Sequence, residues 1–340
     1  MLKKSLAGHG PALPMWGGAM RCQRSDFFSS LLKSTCASRY SPKVSLQPAE
    51  YRYVKDPTAA VRLRDTQNAD GGWGYFPGKQ SWLEPTFYAA VALEGEPAAD
   101  RAWELLKSWQ GADGGWRPSA DVAVPTWGTS LCVTLAQSRG ETGEPFQKGV
   151  QWLLSAKEVE LALWKRLLFR TKLFGEPDRN LDLVGWPWKP GQASWVEPNT
   201  HAIVALKQAS RIVSSPKLWD RIRMGEAELM DVRCADGGWN YGSHAALQVD
   251  LVAFPETTAL ALIGLQGHPD LGKSLDLAAR MAGETTSPLA RAWLSIALRL
   301  HEAPVPQSTV EIASSPETMI AALNIIAEQK PQFFRTGGTT

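Results

Sequence analysis

The sequence is poor in the features that mark several large functional classes. Its four cysteines, Cys22, Cys36, Cys132 and Cys234, are scattered and form no Cys-x-x-Cys pair. That excludes a recognisable zinc ribbon and a disulfide-dense scaffold, and it suits a reducing, cytoplasmic compartment. No apolar run reaches the roughly 18 residues of a membrane span. Charge of one sign is not in excess: 36 Lys and Arg face 34 Asp and Glu, a net charge of +2. Such a balance is no footprint of nucleic-acid binding. Alternating apolar and polar runs of strand type are absent, so the chain reads as all-α. No Asp-Asp-x-x-Asp cluster is present for Mg²⁺ and a diphosphate, and no cofactor motif stands out.

The small charge is unevenly spread. Residues 1–49 hold seven basic side chains and one acid, Asp26, and are broken by Gly10, Pro11, Pro14, Gly17 and Gly18. No apolar segment of signal-peptide length follows Lys3 and Lys4. The expectation for residues 1–50 is a disordered basic tail. The remaining chain carries 29 basic and 33 acidic groups and is mildly acidic.

What the sequence has in quantity is tryptophan: 15, against 10 Phe and 6 Tyr. Much of it belongs to a repeat. Asp-Gly-Gly-Trp occurs at Asp70–Trp73, Asp113–Trp116 and Asp236–Trp239, with a degenerate copy at Gly185-Trp186-Pro187-Trp188. Each copy is followed by a proline that opens an apolar stretch: Pro85, Pro125, Pro198 and Pro255. Two more such stretches begin at Pro288 and Pro316. Proline suits the first turn of a helix, where its missing N–H would be unpaired anyway. The Ala- and Leu-rich sequence that follows then reads as about three turns of helix. These helices are apolar nearly all round, so they are buried on more than one side. The segments before each Asp-Gly-Gly-Trp, such as 98–110 and 216–234, mix charge with a narrower apolar stripe and read as surface helices. Asp-Gly-Gly is the turn between the two kinds. Five or six such hairpins cannot bury their inner helices singly but can do so in a ring. The predicted fold is a closed α/α toroid over residues 51–330, its proline-led helix ends on one rim, with 331–340 as a tail.

The repeats resemble those of the terpenoid-cyclase and protein-prenyltransferase toroids, squalene–hopene cyclases in particular. Their QW repeat reads Lys/Arg-Gly-x-x-aromatic-Leu-x-x-x-Gln-x-x-x-Gly-x-Trp. Gln67 to Trp73 and Gln110 to Trp116 match its second half. A third copy starts at Lys148-Gly149 and resumes only at Gly185-Trp186, and a fourth has Arg233 in the Gln position. Leu63, Leu106, Leu153 and Leu229 hold the Leu position. The resemblance implies that Trp73, Trp116 and Trp239 staple outer helices to turns and serve the fold.

It also implies where chemistry would sit. Class II cyclases of this kind start an inner helix with Asp-x-Asp-Asp-Thr-Ala, whose middle Asp protonates an alkene. This sequence lacks that motif. Its nearest match, Phe254-Pro255-Glu256-Thr257-Thr258-Ala259, places Glu256 on the middle Asp. A plainer reading is that Glu256 complements the helix dipole from the first turn. Further catalytic candidates on the same rim are Asp250, Glu197 and His201. Trp82, Trp127, Trp195, Tyr241, His244, Glu84 and Phe254 are expected to line a cavity there. The prenyltransferase branch binds zinc through Asp, Cys and His. Asp231 and Cys234 lack that Asp-x-Cys spacing, and no metal is expected.

Residues 158–175 form an insertion with Leu161, Trp164 and Leu168 at helical spacing and Lys165, Arg166, Arg170 and Lys172 behind them. A basic amphipathic helix of this kind can lie on the inner membrane or pack against protein. The functional expectation is a cyclase-like protein that acts on or binds an apolar isoprenoid chain, with no nucleic acid and no cofactor. Full cyclases of the family resemble two toroids with the cavity between them, so a dimer or second toroid subunit is an implied partner. The alternatives are a non-catalytic isoprenoid carrier, a prenyltransferase-like subunit, or a glycan-active toroid using paired carboxylates among Glu84, Glu197 and Glu256.

Overall fold

The computed structural model describes residues 58–156, 179–246, 249–310 and 315–337. The expected basic tail at 1–50 and the amphipathic insertion at 158–175 lie outside the described residues. Eleven α-helices are present among them. Six form an inner set: α2 (Leu83–Ala92), α4 (Gly128–Ser138), α6 (Val196–Ala209), α8 (Pro255–Gly264), α10 (Pro288–Leu300) and α11 (Thr318–Gln329). Five lie outside: α1 (Ala59–Asp65), α3 (Pro97–Ser108), α5 (Glu144–Ser155), α7 (Pro216–Asp231) and α9 (Gly272–Glu284). The strands among the described residues are one two-residue pair, β1 (Ala245–Ala246) and β2 (Val249–Asp250), joined antiparallel.

Each inner helix packs on the next in the order α2, α4, α6, α8, α10, α11, and α11 returns to α2. The ring is therefore closed. Outer helices sit behind it: α3 on α2, α5 on α4, α7 on α6, α9 on α8 and α10, and α1 on α11. The burial follows the sequence pattern. Helix α2 is buried at every residue but Glu84, whereas α3 buries only Ala98, Ala99, Ala102, Trp103 and Leu106, one stripe. This architecture is an α/α toroid.

The repeat explains how the hairpins are pinned. The indole N–H groups of Trp73, Trp116, Trp186 and Trp239 donate to the carbonyls of Leu63, Leu106, Leu153 and Leu229, at 2.6–2.9 Å. The backbone N–H groups of the same tryptophans donate to Thr86, Thr129, Asn199 and Thr258 in the first turns of the inner helices. One buried ring thus satisfies its own polar groups while joining an outer helix to an inner one. The glutamine amides tie in the next outer helix. Gln67 Nε2 donates to the carbonyls of Gly71 and Ala98, and Gln110 Nε2 to those of Gly114 and Pro145. Gly114 has φ +88°, and a Cβ there would lie 2.6 Å from the Lys148 carbonyl, so no other residue fits the turn.

A further set of bonds runs around the ring. The carbonyl two residues after each staple tryptophan accepts an N–H from the start of a neighbouring inner helix. Pro118 accepts from Leu83, Trp188 from Trp127, and Tyr241 from Val196. Tyr75 accepts from Thr318 at 2.9 Å, which closes the circle between the first repeat and the last inner helix.

Three details depart from the sequence expectation. Helix α4 begins at Gly128 rather than at Pro125, because Thr126 and Trp127 turn first, their carbonyls accepting from Thr129 and Ser130. Helix α11 begins at Thr318, two residues after Pro316. The packed body also runs past residue 330: Pro331–Phe334 forms a 3₁₀ turn that buries Phe334. The degenerate third repeat lacks Asp-Gly-Gly and is held by other groups. Arg221 donates to the carbonyls of Val184 and Gly185 and lies 3.5 Å from the centre of the Trp186 ring. Buried Glu228 accepts from Ser194 and Asn199.

Candidate functional site

The staple bonds put the inner helices in register. Two residues before Thr86, Thr129, Asn199 and Thr258 stand Glu84, Trp127, Glu197 and Glu256. These four side chains form one layer of the ring, at the starts of the helices, and all are half-buried. One helical turn deeper, about 6 Å, the same faces carry Tyr88, Leu131, His201 and Leu260, and all are buried. Solvent therefore reaches the upper layer and stops at the lower one.

The lower layer is closed at the ring axis. Tyr88 of α2, His201 of α6 and Trp293 of α10 come from alternate members of the ring, and they meet. Tyr88 Oη lies 3.4 Å from His201 Nε2, the Tyr88 and Trp293 rings are 5.7 Å apart, and those of His201 and Trp293 are 5.9 Å apart. Phe334 seals them from below, against both His201 and Trp293. Its turn is anchored to the far ends of the inner helices by Gln208 donating to the Phe333 carbonyl, Gln266 to that of Phe334, and Lys330 to that of Val91. The site is a bowl open at the rim where the inner helices begin.

The bowl holds titratable groups in unusual states. Burial pushes the Glu197 carboxyl well above the usual carboxylate range, and the neighbouring Glu84 charge raises it further. Burial also raises Glu84, while a 2.6 Å bond from Tyr75 Oη to its Oε2 pulls it back. Each carboxyl keeps some accessible surface while protein encloses it deeply, as the wall of a narrow bowl requires. Burial and both carboxyls raise the Tyr75 phenol. Burial pushes the His201 imidazole down to about 3, so it is neutral at pH 7. Trp127 stacks edge-on against Trp188 at 5.1 Å and lies 5.4 Å from His201. A carboxyl whose pKa is raised is suited to donating a proton, and the aromatic faces beside it to steadying a cation.

No protein-family model matches the chain. A segment is similar to drimenyl diphosphate synthase of Streptantibioticus cattleyicolor, 45% identical over 67 residues, or 18% of this chain and 13% of that protein. The enzyme of the same name from Streptomyces showdoensis is 41% identical over 73 residues, covering 20% and 14%. The chain thus spans about one seventh of the length of the curated relatives it matches. Among solved structures, an α-1,6-mannanase of Salegentibacter sp., in complex with α-1,6-mannotriose, is similar with a TM-score of 0.53 at 9% identity, covering 81% of this chain and 98% of that one. The type II terpene cyclase MstE of Scytonema, with geranylgeranyl dihydroxybenzoate, gives 0.46 at 17% identity, covering 80% and 77%. The mannanase likeness shows the fold alone.

The residues singled out in the sequence fall into two groups. Glu84, Glu197, His201 and Trp127 gather in and under the bowl, and Glu256 shares their upper layer at α8. Glu256 Oε1 accepts from Ser287 at 3.4 Å. Trp82, Trp195 and Phe254 each immediately precede an inner helix and stand on the rim. Trp195, Tyr241 and Phe254 form an exposed aromatic run there, with ring separations of 6.5 and 5.2 Å. Asp250 is exposed on β2, and His244 lies in the loop before β1. Tyr75, Tyr88, Trp188, Trp293 and Phe334 were not apparent from sequence. Tyr75 and Trp188 share a signal that could have found them: both stand two residues after a staple tryptophan, as Tyr241 does. The opposite rim holds a separate open cleft of about 460 Å³, lined in part by Glu94, Gln137, Gln208, Arg211, Lys330 and Arg335. There Lys330 and Arg211 bond carbonyls at helix ends and at Thr336, a capping role.

Proposed function

We propose that this protein is a cyclase-like toroid that takes the apolar end of a linear isoprenoid into the bowl and starts its cyclisation by protonation. The observation that carries this reading is the pair Glu84 and Glu197, set in one layer beside Trp127, where enclosure raises both carboxyls and Glu197 the more. Glu197, the carboxyl that burial and its neighbour both raise, is the donor. Its O–H bond breaks as a C–H bond forms on one alkene carbon, leaving a cation on the other. The π pair of the next alkene closes the ring. Loss of a proton from the last cation to the Glu197 carboxylate restores the acid, so no co-reactant is consumed. Tyr75 holds Glu84 in place beside the donor. Trp127 and Trp188 present π faces and edges to the cation. Glu256 is the third acid of this layer and a secondary candidate, and Asp250 stands outside the bowl.

The bowl is only about one turn deep, so most of a long chain would lie above the rim. The exposed Trp195, Tyr241 and Phe254 suit a second copy or a second toroid as its cover, and contact of 158–175 with a membrane surface belongs to the same reading. Glycan chemistry is the second reading, favoured by the carboxyl pair and the mannanase-like fold. It requires one carboxyl to act as the acid and the other, ionised, as base or nucleophile.

The test is product analysis. The chain would be expressed in a host supplying linear isoprenoids, and extracted lipids compared with those from Glu197→Gln by gas chromatography with mass detection. A cyclic product lost in the variant is expected. Binding of isoprenoids with no new product in either strain would make the protein a carrier, and hydrolysis of a mannan or similar glycan would favour the second reading.

A further inference from the structure

We propose that Trp293, with Tyr88 and His201, is the end stop of the bowl and determines which double bond of a linear chain can reach Glu197. The inference rests on the isoprenoid reading above and adds a specificity residue to it. Three side chains from alternate ring helices meet on the axis one turn below the acids. Tyr88 is fully buried and Trp293 is 3% exposed, whereas Glu84 and Glu197 above them keep some accessible surface. A chain entering from the rim can therefore pass the carboxyls by only a small group before it meets the indole. A compact dimethyl end fits that depth, and its double bond then lies at the level of Glu197. An internal double bond is kept higher, out of reach.

Trp293 is the member to change. Tyr88 and His201 are tied to each other, while the Trp293 indole spans the gap to both and rests on Phe334. An indole side chain has more carbons than an isoprene unit, so removing it makes room for one more unit below the acids. Phe334 still closes the floor beneath, because its turn is held by Gln208 and Gln266 rather than by Trp293.

The experiment compares dissociation constants, by isothermal titration calorimetry, for two linear isoprenoid alcohols. One ends in a dimethyl alkene and the other in a cyclohexylidene group. The full chain is expected to bind the first more tightly by about tenfold or more, the usual discrimination of a closed apolar pocket. Trp293→Ala is expected to bring the two within about threefold. Trp293→Leu, which keeps more of the packing, is expected to fall between, and near-UV circular dichroism reports whether each variant is folded. An unchanged ratio in either folded variant overturns the inference. Failure of the full chain to bind either alcohol overturns it together with the isoprenoid reading. Binding with the expected ratios, but no cyclic product that depends on Glu197, leaves the end stop standing and removes the cyclase reading.

Discussion

His201 gives the sharpest quantitative test of the bowl. Its imidazole is buried among Trp127, Trp293 and Phe334, with Tyr88 as its polar neighbour, and its pKa falls from 6.5 to about 3. In the unfolded chain it titrates near its ordinary value. Between those two values the unfolded state binds a proton that the folded state refuses, so stability must fall as pH drops through 6.5. At pH 5 the unfolded imidazole is almost wholly charged and the folded one is neutral, which costs about 2 kcal/mol relative to pH 8. Glu84 and Glu197 act in the opposite sense, since a raised carboxyl pKa favours the folded state on the acid side and disfavours it as pH rises. A single pH profile mixes these effects, and a variant separates them. Urea unfolding of wild type and His201→Leu at pH 8 and pH 5 is the assay. The wild type is expected to lose about 2 kcal/mol more than the variant over that interval. Equal losses in the two proteins would mean that His201 is not held neutral, and the closed lower layer would be refuted with it.

The same linkage gives Glu197→Gln a stability signature independent of any activity. The variant is expected to be more stable than wild type at pH 8, with the gap closing toward pH 4, in parallel thermal melts; a variant less stable at pH 8 would contradict the raised carboxyl. Trp116→Phe keeps most of the buried ring but removes the indole bond to the Leu106 carbonyl, which still accepts from the Trp109 N–H, and is expected to cost roughly 0.5–1.5 kcal/mol in urea unfolding. Gly114→Ala is expected to cost several times as much as Gly78→Ala. Both have positive φ, but only at Gly114 does a Cβ meet backbone, so equal effects would show that φ alone matters.

Much of the ring was readable because its signals are local. A proline opening an apolar run, a charged stripe before Asp-Gly-Gly and a tryptophan at fixed spacing each report a helix, a turn or a staple. The boundary errors were local too: Pro125 and Pro316 precede their helices rather than start them, because a turn intervenes at one and two residues at the other. The site was less readable. Glu84, Glu197 and Glu256 look alike in sequence, each in the first turn of an inner helix. Glu256 drew attention through Thr258-Ala259, a likeness of motif. What separates Glu84 and Glu197 is mutual proximity and enclosure, and neither is a property of a short window.

The sequence by itself determined that the chain is helical, that it repeats, which helices are inner, and which side chains stand at the rim. These follow from periodicity and turn chemistry, whose range is a few residues. Tertiary structure decided that α11 returns to α2, with Tyr75 accepting from Thr318. It decided that residues 88, 201 and 293 meet on one axis, and that Phe334 lies beneath them. It also decided that two ordinary glutamates share one enclosed layer. Ring closure brings together groups more than a hundred residues apart, and the low polarity that shifts their protonation exists only once all six inner helices surround them.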